Sequence, residues 1–402
     1  WPSVVRWYAK SSGTTNDKSK FLPVTPEILK GCHYKGGFDT VSIYLQNNPD
    51  SHFFASKGLI LGGSHSPSPL NRNAHCGDLS AVLLQNLNPL VNLIRVPDKK
   101  IILMDEWESK IKAIVESTWK TDVNSLSGVP SWMLVLIKAV LQKTGSEYLT
   151  DVWPNMEVFF HGGISFEPYR DQYKALIPSD RMHYMETYNA SEGFFGLQDN
   201  PEEHSLLLMI DYSVFYEFIP INEVGEEHPT VLPLEAVEVG KNYAMVITTS
   251  GGLWRYQIGD TVRFTSLYPH KFVISGRTKN FINAFGEELM VDNADKAISR
   301  VCRQTGAKVK EYTAAPLFML DKAKGRHQWM IEFEKMPPSL DDFASLLDKT
   351  LQQLNSDYEA KRYKEISLQP LEIRVAREGT FYEWLRRKGK LGGQHKIPRL
   401  SN

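Results

Sequence analysis

Between residues 205 and 285 the chain passes through four strand-like stretches with little between them. They are "SLLLMIDYSVFYEFIPI" (205–221), "NYAMVITTSGG" (242–252), "LWRYQIGDTVRFTS" (253–266) and "KFVISGRTKNFINAF" (271–285). Each is rich in β-branched and aromatic residues, and Gly, Asn, Asp and Ser punctuate the joins. That pattern predicts strands lying side by side. A sheet of this size must cover its apolar faces, so the chain also has to supply helices. "EWESKIKAIVESTWK" (106–120) and residues 130–143 carry apolar residues at helical spacing. "PSWMLVLIKAVLQ" (130–142) is interrupted by Lys138. It falls short of the roughly 18 apolar residues of a membrane span, so it reads as a core helix.

The rest of the chain divides on the same signals. "MEVFFHGG" (156–163) reads as a strand ending in two glycines, and "GGSHSPSPLNRNAHCG" (62–77) as a surface loop. "VDNADKAISRVCRQTG" (291–306) reads as a helix closed by Gly306. Strands are predicted near 311–320, over 326–335 and over 366–375, with a helix over 341–362. The β-α-β-β-α-β order near the C-terminus predicts a small α+β domain, with its boundary at "SGRTK" (275–279). At 402 residues the chain exceeds one ordinary core, which agrees with two domains.

Charge and cysteine use exclude several classes. Lys and Arg number 46 against 47 Asp and Glu, a net charge of -1. A general nucleic-acid binder would need a basic surplus to neutralise phosphates. Cys32, Cys76 and Cys302 lie far apart with no CxxC pair. No disulfide framework or zinc cluster is implied, and a reducing cytoplasmic setting is the simplest reading.

"SSGTTNDKSK" (11–20) combines a glycine, small hydroxyl residues and two lysines. Converging backbone N–H groups, hydroxyl donors and a cation are what a phosphate-holding loop requires. The stretch does not fit the GxxxxGK[ST] pattern of P-loop NTPases; on its own a flexible Ser/Thr linker explains it as well. Three other stretches bear on the choice. "ETYNASEGFFG" (186–196) sets Tyr188 and Glu192 four residues apart, "GGLWRYQIGD" (251–260) places Asp260 at a turn, and "SGRTKNFINAFGEEL" (275–289) holds Arg277 and Lys279. Singly, each has an ordinary structural explanation.

In this order they form a set. "SSGTTNDKSK", "YNASEGFFG", "YQIGD" and the C-terminal "GTFYEWLRRKGKLGGQHKIPRL" (379–400) resemble four motifs of the auxin-responsive acyl-acid amido synthetases. That family is a branch of the adenylate-forming superfamily of firefly luciferase and the acyl-CoA synthetases. The hinge stretch "GRTKNFINAFGEEL" is closer to the general adenylate-forming pattern than to plant sequences, which marks a bacterial-type member. Gln257 stands where plant members commonly have Arg.

The resemblance implies an α/β adenylate-forming fold. A large N-terminal α/β domain (1–277) of packed sheets and helices would be followed by a small mobile α+β domain (278–402), hinged near Arg277–Lys279. The first motif begins at residue 11, so the large domain would be truncated at its start. The implied chemistry has two half-reactions: a small carboxylic acid attacks the α-phosphorus of ATP, then an amino acid amine takes the acyl group and releases AMP. ATP and Mg²⁺ are the implied cofactors, with neither nucleic acid nor membrane as partner.

Roles follow by the same resemblance. Ser11, Ser12, Thr14, Thr15 and Lys20 would hold the β- and γ-phosphates. Glu192 would bind Mg²⁺, Ser191 would lie beside the α-phosphate, and Tyr188 would stack on adenine or line its pocket. Gly162 and Gly163 resemble the adenine-contacting loop; His161 before them suits a core position as well as a ligand. Asp260 would accept hydrogen bonds from the ribose hydroxyls, assisted by Arg277. Lys396, in the basic run "RRKGKLGGQHKIPR" (386–399), would reach the α-phosphate. Aromatic residues around 158–169 and 215–218 are candidates for the acyl pocket. A thiol acceptor such as CoA, or a non-catalytic nucleotide-binding protein on the same fold, are the competing readings.

Overall fold

The computed structural model describes residues 3–11, 20–63, 65–67, 74–167, 169–278, 281–282, 287, 289–318, 325–362, 368–388, 391 and 397–401. Its frame is a twelve-stranded sheet. In spatial order the strands are Leu232–Pro233, Val214–Pro220, Asn242–Thr249, Tyr256–Leu267, His270–Arg277, Leu206–Leu208, Gly193–Leu197, His183–Ala190, Val158–Gly162, Val123–Gly128, Lys57–Ile60 and Arg95–Val96. From Leu232–Pro233 to His183–Ala190 the pairs recorded are antiparallel. From His183–Ala190 to Arg95–Val96 they are parallel. The parallel strands need crossover connections, and the helices Trp107–Thr118 and Pro130–Thr144 supply two of them.

Each half of the sheet buries its own core. The parallel half packs Leu59, Leu126 and Phe159 against both helices, with Trp107 and Trp132 edge to face at 4.7 Å. The antiparallel half buries Phe218, Tyr243, Phe264 and Phe272 together with Tyr44 and Leu22. A four-stranded sheet of Lys20–Val24, Trp7–Ser11, His75–Gly77 and His65–Pro67 lies beside it. The third core draws only on residues from 282 onward. The helices Val291–Thr305 and Leu340–Leu354 cover a three-stranded sheet of Lys308–Phe318, Gly325–Lys335 and Glu372–Val375. The final helix Thr380–Arg387 turns back, and its Phe381 and Leu385 join the core of the parallel half.

Three elements differ from the sequence-based expectation. The run 205–221 is two strands in different parts of the sheet, Leu206–Leu208 and Val214–Pro220. The chain turns between them at Ser213, whose φ is 57°. Seventeen extended residues would span about 55 Å, far beyond an ordinary strand. The stretch 62–77 is not wholly a surface loop, because His75–Gly77 pairs in parallel with Trp7–Ala9 and buries Cys76. The helix over 341–362 breaks at Asn355, whose side-chain oxygen accepts from the Tyr358 backbone N–H at 2.7 Å and starts a second helix, Ser356–Arg362.

Candidate active site

The adjoining strands Tyr256–Leu267 and His270–Arg277 run antiparallel with Asp260 directly opposite Arg277. Arg277 Nε donates to Asp260 Oδ1 at 2.7 Å. The Tyr188 hydroxyl donates to the other carboxylate oxygen, Oδ2. The ladder shifts register just after Asp260, and Gly259 takes φ = +87°, a left-handed conformation natural to glycine. The bulge turns Asp260 toward its two donors. A carboxylate offers about four lone-pair sites, so two remain for a ligand diol. The Tyr188 ring is buried against Phe195 (5.0 Å) and Phe272 (6.2 Å). Burial and the adjacent Asp260 charge hold its hydroxyl protonated, well above the ordinary tyrosine range.

Ser191 and Glu192 form the two-residue link between strands His183–Ala190 and Gly193–Leu197, and both are buried. Burial raises the Glu192 carboxyl to about 7, and the Asp260 charge adds to the rise. Arg277 and Lys20 pull it back. A cation at this carboxylate would offset that cost. Lys20 begins its strand and donates to the Tyr256 hydroxyl at 3.0 Å, with its Nζ 5.2 Å from the centre of that ring. The expected first and third motifs therefore touch through Lys20 and Tyr256. The second and third touch through Tyr188 and Asp260.

Strand Val158–Gly162 pairs in parallel with His183–Ala190 and sets Gly162 opposite Thr187. A Cβ at Gly162 would lie 2.2 Å from the Thr187 carbonyl oxygen. The strands could accommodate it only by moving backbone. Gly162→Ala is expected to cost about 1–3 kcal/mol of folding stability, read as a lower midpoint in chemical denaturation. An unchanged midpoint would mean that the two strands tolerate separation there. His161 is a core residue: it is buried and stacked on Phe166 at 4.2 Å. Burial, with Arg170 nearby, lowers its pKa to about 3 and keeps it neutral.

These groups open on one cavity of about 1540 Å³ at the carboxyl ends of the parallel strands, where ligands bind in open α/β sheets. Lys20, Gly162, Gly163, Tyr188, Ser191, Glu192, Asp260 and Arg277 all line it. Its apolar branch is formed by Tyr34, Phe38, Phe53, Phe54, Leu83 and Phe160. Of the aromatics considered for an acyl pocket, Phe160, Phe166 and Tyr169 line the cavity. Those at 215–218 do not: Tyr216 and Phe218 fill the core, and Phe215 is exposed on the far side. They belong to a strand two places away in the sheet from Tyr256–Leu267, which lines the cleft, and alternation along it turns Tyr216 and Phe218 to the core and Phe215 to the other face.

The C-terminal domain supplies the opposite wall with Asp292, Lys296, Arg303, Ile397, Pro398 and Arg399. Arg399 Nη2 donates to the Tyr169 hydroxyl at 2.9 Å, and Arg303 Nη1 to Glu167 Oε1 at 3.2 Å. Ser12, Thr14, Thr15, Lys279 and Lys396 lie outside the described residues. Ser11 ends its strand directly opposite Lys20. Among the described residues, no group of three or more His, Cys, Asp or Glu is arranged to hold a metal ion. None of the described helices is long and apolar enough to cross a membrane.

The fold and this cleft define a class. The chain superposes on the solved GH3.15 acyl acid amido synthetase with a TM-score of 0.76 at 18% identity, covering 99% of this chain and 79% of that one. It also superposes on 2-hydroxyisobutyryl-CoA ligase in its postadenylation state with a TM-score of 0.58 at 11% identity, covering 99% and 74%. The fold is the adenylate-forming α/β fold. Residues 1–182, 207–277 and 292–402 match the N-terminal, central and C-terminal domains of the GH3 family. The chain belongs to the GH3 family.

Among curated relatives, it is 28% identical to the indole-3-acetic acid-amido synthetase GH3.4 of Arabidopsis thaliana, over 98% of this chain and 68% of that protein. It is 27% identical to the 4-substituted benzoates-glutamate ligase GH3.12 of the same plant, over 74% and 57%. The chain thus spans about two thirds or less of the length of these relatives.

Proposed function

We propose that this protein is an ATP-dependent acyl-acid amido synthetase. It joins a small carboxylic acid to the amine of an amino acid through an acyl-adenylate and releases pyrophosphate and then AMP. The observation that carries the reading is the convergence of Tyr188, Asp260 and Arg277 with Glu192 and Lys20 at one end of a cavity whose other branch is apolar. The named activities of the amido synthetase and ligase relatives support it.

Adenylation brings a carboxylate to a triphosphate, so catalysis depends on cations and oriented donors rather than on a protein nucleophile. Asp260, held by two donors, accepts the ribose hydroxyls with its remaining lone pairs. Lys20 and the hydroxyls of residues 11–15 hold the β- and γ-phosphates. Glu192 is suited to Mg²⁺, a hard cation that is commonly bound through one or two carboxylates plus substrate phosphates. The ion would neutralise charge on the phosphates there. The apolar branch around Phe38, Phe54 and Phe160 takes the acyl group. The small domain after Thr278 turns about the segment near Lys279, and Lys396 meets the α-phosphate during adenylation.

Product analysis separates the acceptors. Purified protein given ATP, Mg²⁺, a carboxylic acid that supports ATP–pyrophosphate exchange and amino acids one at a time should form an amide, pyrophosphate and AMP, and should form no thioester with CoA. Thioester without amide would replace the amine acceptor with a thiol.

A further inference from the structure

The apolar branch of the cavity reaches a polar floor that none of the roles above uses. Arg95 stands opposite Gly58 in the parallel ladder, and Gly58 opposite Ser125. The three positions form one row across strands Arg95–Val96, Lys57–Ile60 and Val123–Gly128. The following row, with Leu59 and Leu126, turns to the helices, so this row faces the cavity, and all three residues line it. Gly58 leaves room between its neighbours. A Cβ there would lie 2.9 Å from Ser125 Oγ, so the hydroxyl leans over the glycine on the side of Arg95.

Arg95 and Ser125 are only 6% and 3% exposed, yet the protein completes neither. Arg95 Nη1 donates to the Pro97 carbonyl at 3.3 Å and Nη2 to Asn92 Oδ1, and both acceptors are uncharged. Its Nε is buried with no hydrogen-bond partner, and no described carboxylate lies within ion-pair distance. Asp98 is the carboxylate acting on it from further away, against the lowering of its pKa by burial. The Ser125 hydroxyl meets no hydrogen-bond partner among the described residues. A buried cation without a counter-ion is costly unless a ligand supplies one.

We propose that this floor binds a second carboxylate at the far end of the acyl substrate, so that the acid adenylated is an α,ω-dicarboxylic acid. The inference rests on the synthetase reading above. Val158 pairs with Ser125, and Gly162, at the nucleotide end of the cleft, follows it by four residues, about 13 Å along the strand. A short diacid cannot bridge that span. A longer one lays its methylene chain along Ile60, Leu83 and Phe160, which line the branch. Its near carboxylate meets the α-phosphate, and its far carboxylate accepts from the Arg95 guanidinium and the Ser125 hydroxyl. The guanidinium suits the task because its forked donors match a carboxylate. A methyl end in the same place would leave a buried cation unpaired, so the site discriminates against monoacids of equal length.

The test is ATP–pyrophosphate exchange with straight-chain diacids, from succinate to hexadecanedioate, each beside the monoacid of equal length. At the length that spans the branch, kcat/KM for the diacid should exceed that for the monoacid by about 10- to 100-fold, the worth of hydrogen bonds to a charged group. The half-methyl ester of that diacid, adenylated at its free end, should lose the advantage in the parent protein. Arg95→Met should bring the diacid-to-monoacid ratio close to unity, and Ser125→Ala should lower it by a smaller factor. The ratio cancels a general loss of activity in a variant, and the half-ester comparison needs no variant. A ratio close to unity at every length in the parent, a half-ester as good as the diacid, or a parent-like ratio in either variant would overturn the distal site. Exchange with other acids would then leave the synthetase reading standing. No exchange by the parent with these or with aryl and indolyl acids would overturn that reading, and the distal site with it.

Discussion

Lys396→Ala will slow acyl-adenylate formation by about 10²- to 10³-fold while ATP binds nearly as well as to the parent. The size follows from losing one oriented charge at a developing anion, which commonly costs that factor. Adenylation presses a carboxylate against the α-phosphate, so a cation delivered at that moment favours the transition state more than the ground state. Ground-state affinity is spread over other groups: Asp260 at the ribose, Lys20 and the first motif at the outer phosphates. Lys396 directly precedes Ile397–Arg399, which line the cavity. That tail is held firmly. The Arg399 backbone carbonyl accepts from Ala314 N–H at 2.9 Å, the Pro398 carbonyl accepts from the Thr313 hydroxyl at 2.7 Å, and the Arg399 guanidinium reaches Tyr169. Single-turnover adenylation measured beside calorimetric ATP affinity separates the two effects. An unchanged single-turnover rate would remove Lys396 from the chemistry.

Asp260→Ala should weaken ATP binding by about 10- to 100-fold, the range expected when hydrogen bonds to a charged group are lost. It should also lower stability, for a different reason. The Tyr188 hydroxyl is buried and donates only to Asp260, and an orphaned buried donor costs about 1–3 kcal/mol. Arg277 would lose the carboxylate opposite it in the ladder. Asp260→Asn keeps an acceptor for Tyr188 but removes the charge, so it should recover stability more fully than affinity. Equal calorimetric affinity in Asp260→Ala and the parent would refute the ribose role.

The part of the site legible in the sequence is the part built from short local stretches. Asp260, Ser191 and Glu192, and Gly162 sit at a bulge, a two-residue link and a strand end, and Gly and small residues announce such places within a few positions. Their order along the chain identified the family although nothing local shows that Lys20 meets Tyr256, a contact across 236 residues. What stayed hidden depends on which strands become neighbours. The run 205–221 is mostly apolar, and the polar residues within it, Asp211, Ser213 and Glu217, follow no single period, so periodicity did not show that it changes place in the sheet at Ser213. For the same reason Tyr216 and Phe218 read equally well as pocket or core. The clasp of Arg399 and Arg303 on Tyr169 and Glu167 joins residues more than 130 positions apart and leaves no local trace.

Acid-dependent ATP–pyrophosphate exchange in the presence of Mg²⁺ tests the central claim most directly. The account predicts exchange that requires a carboxylic acid, is strongest with acids whose aryl, indolyl or alkyl group fills the apolar branch, and is lost in Lys396→Ala. ATP that binds with parent-like affinity, yet exchanges no pyrophosphate with any acid across the panel, would contradict it and leave a nucleotide-binding protein on the same fold.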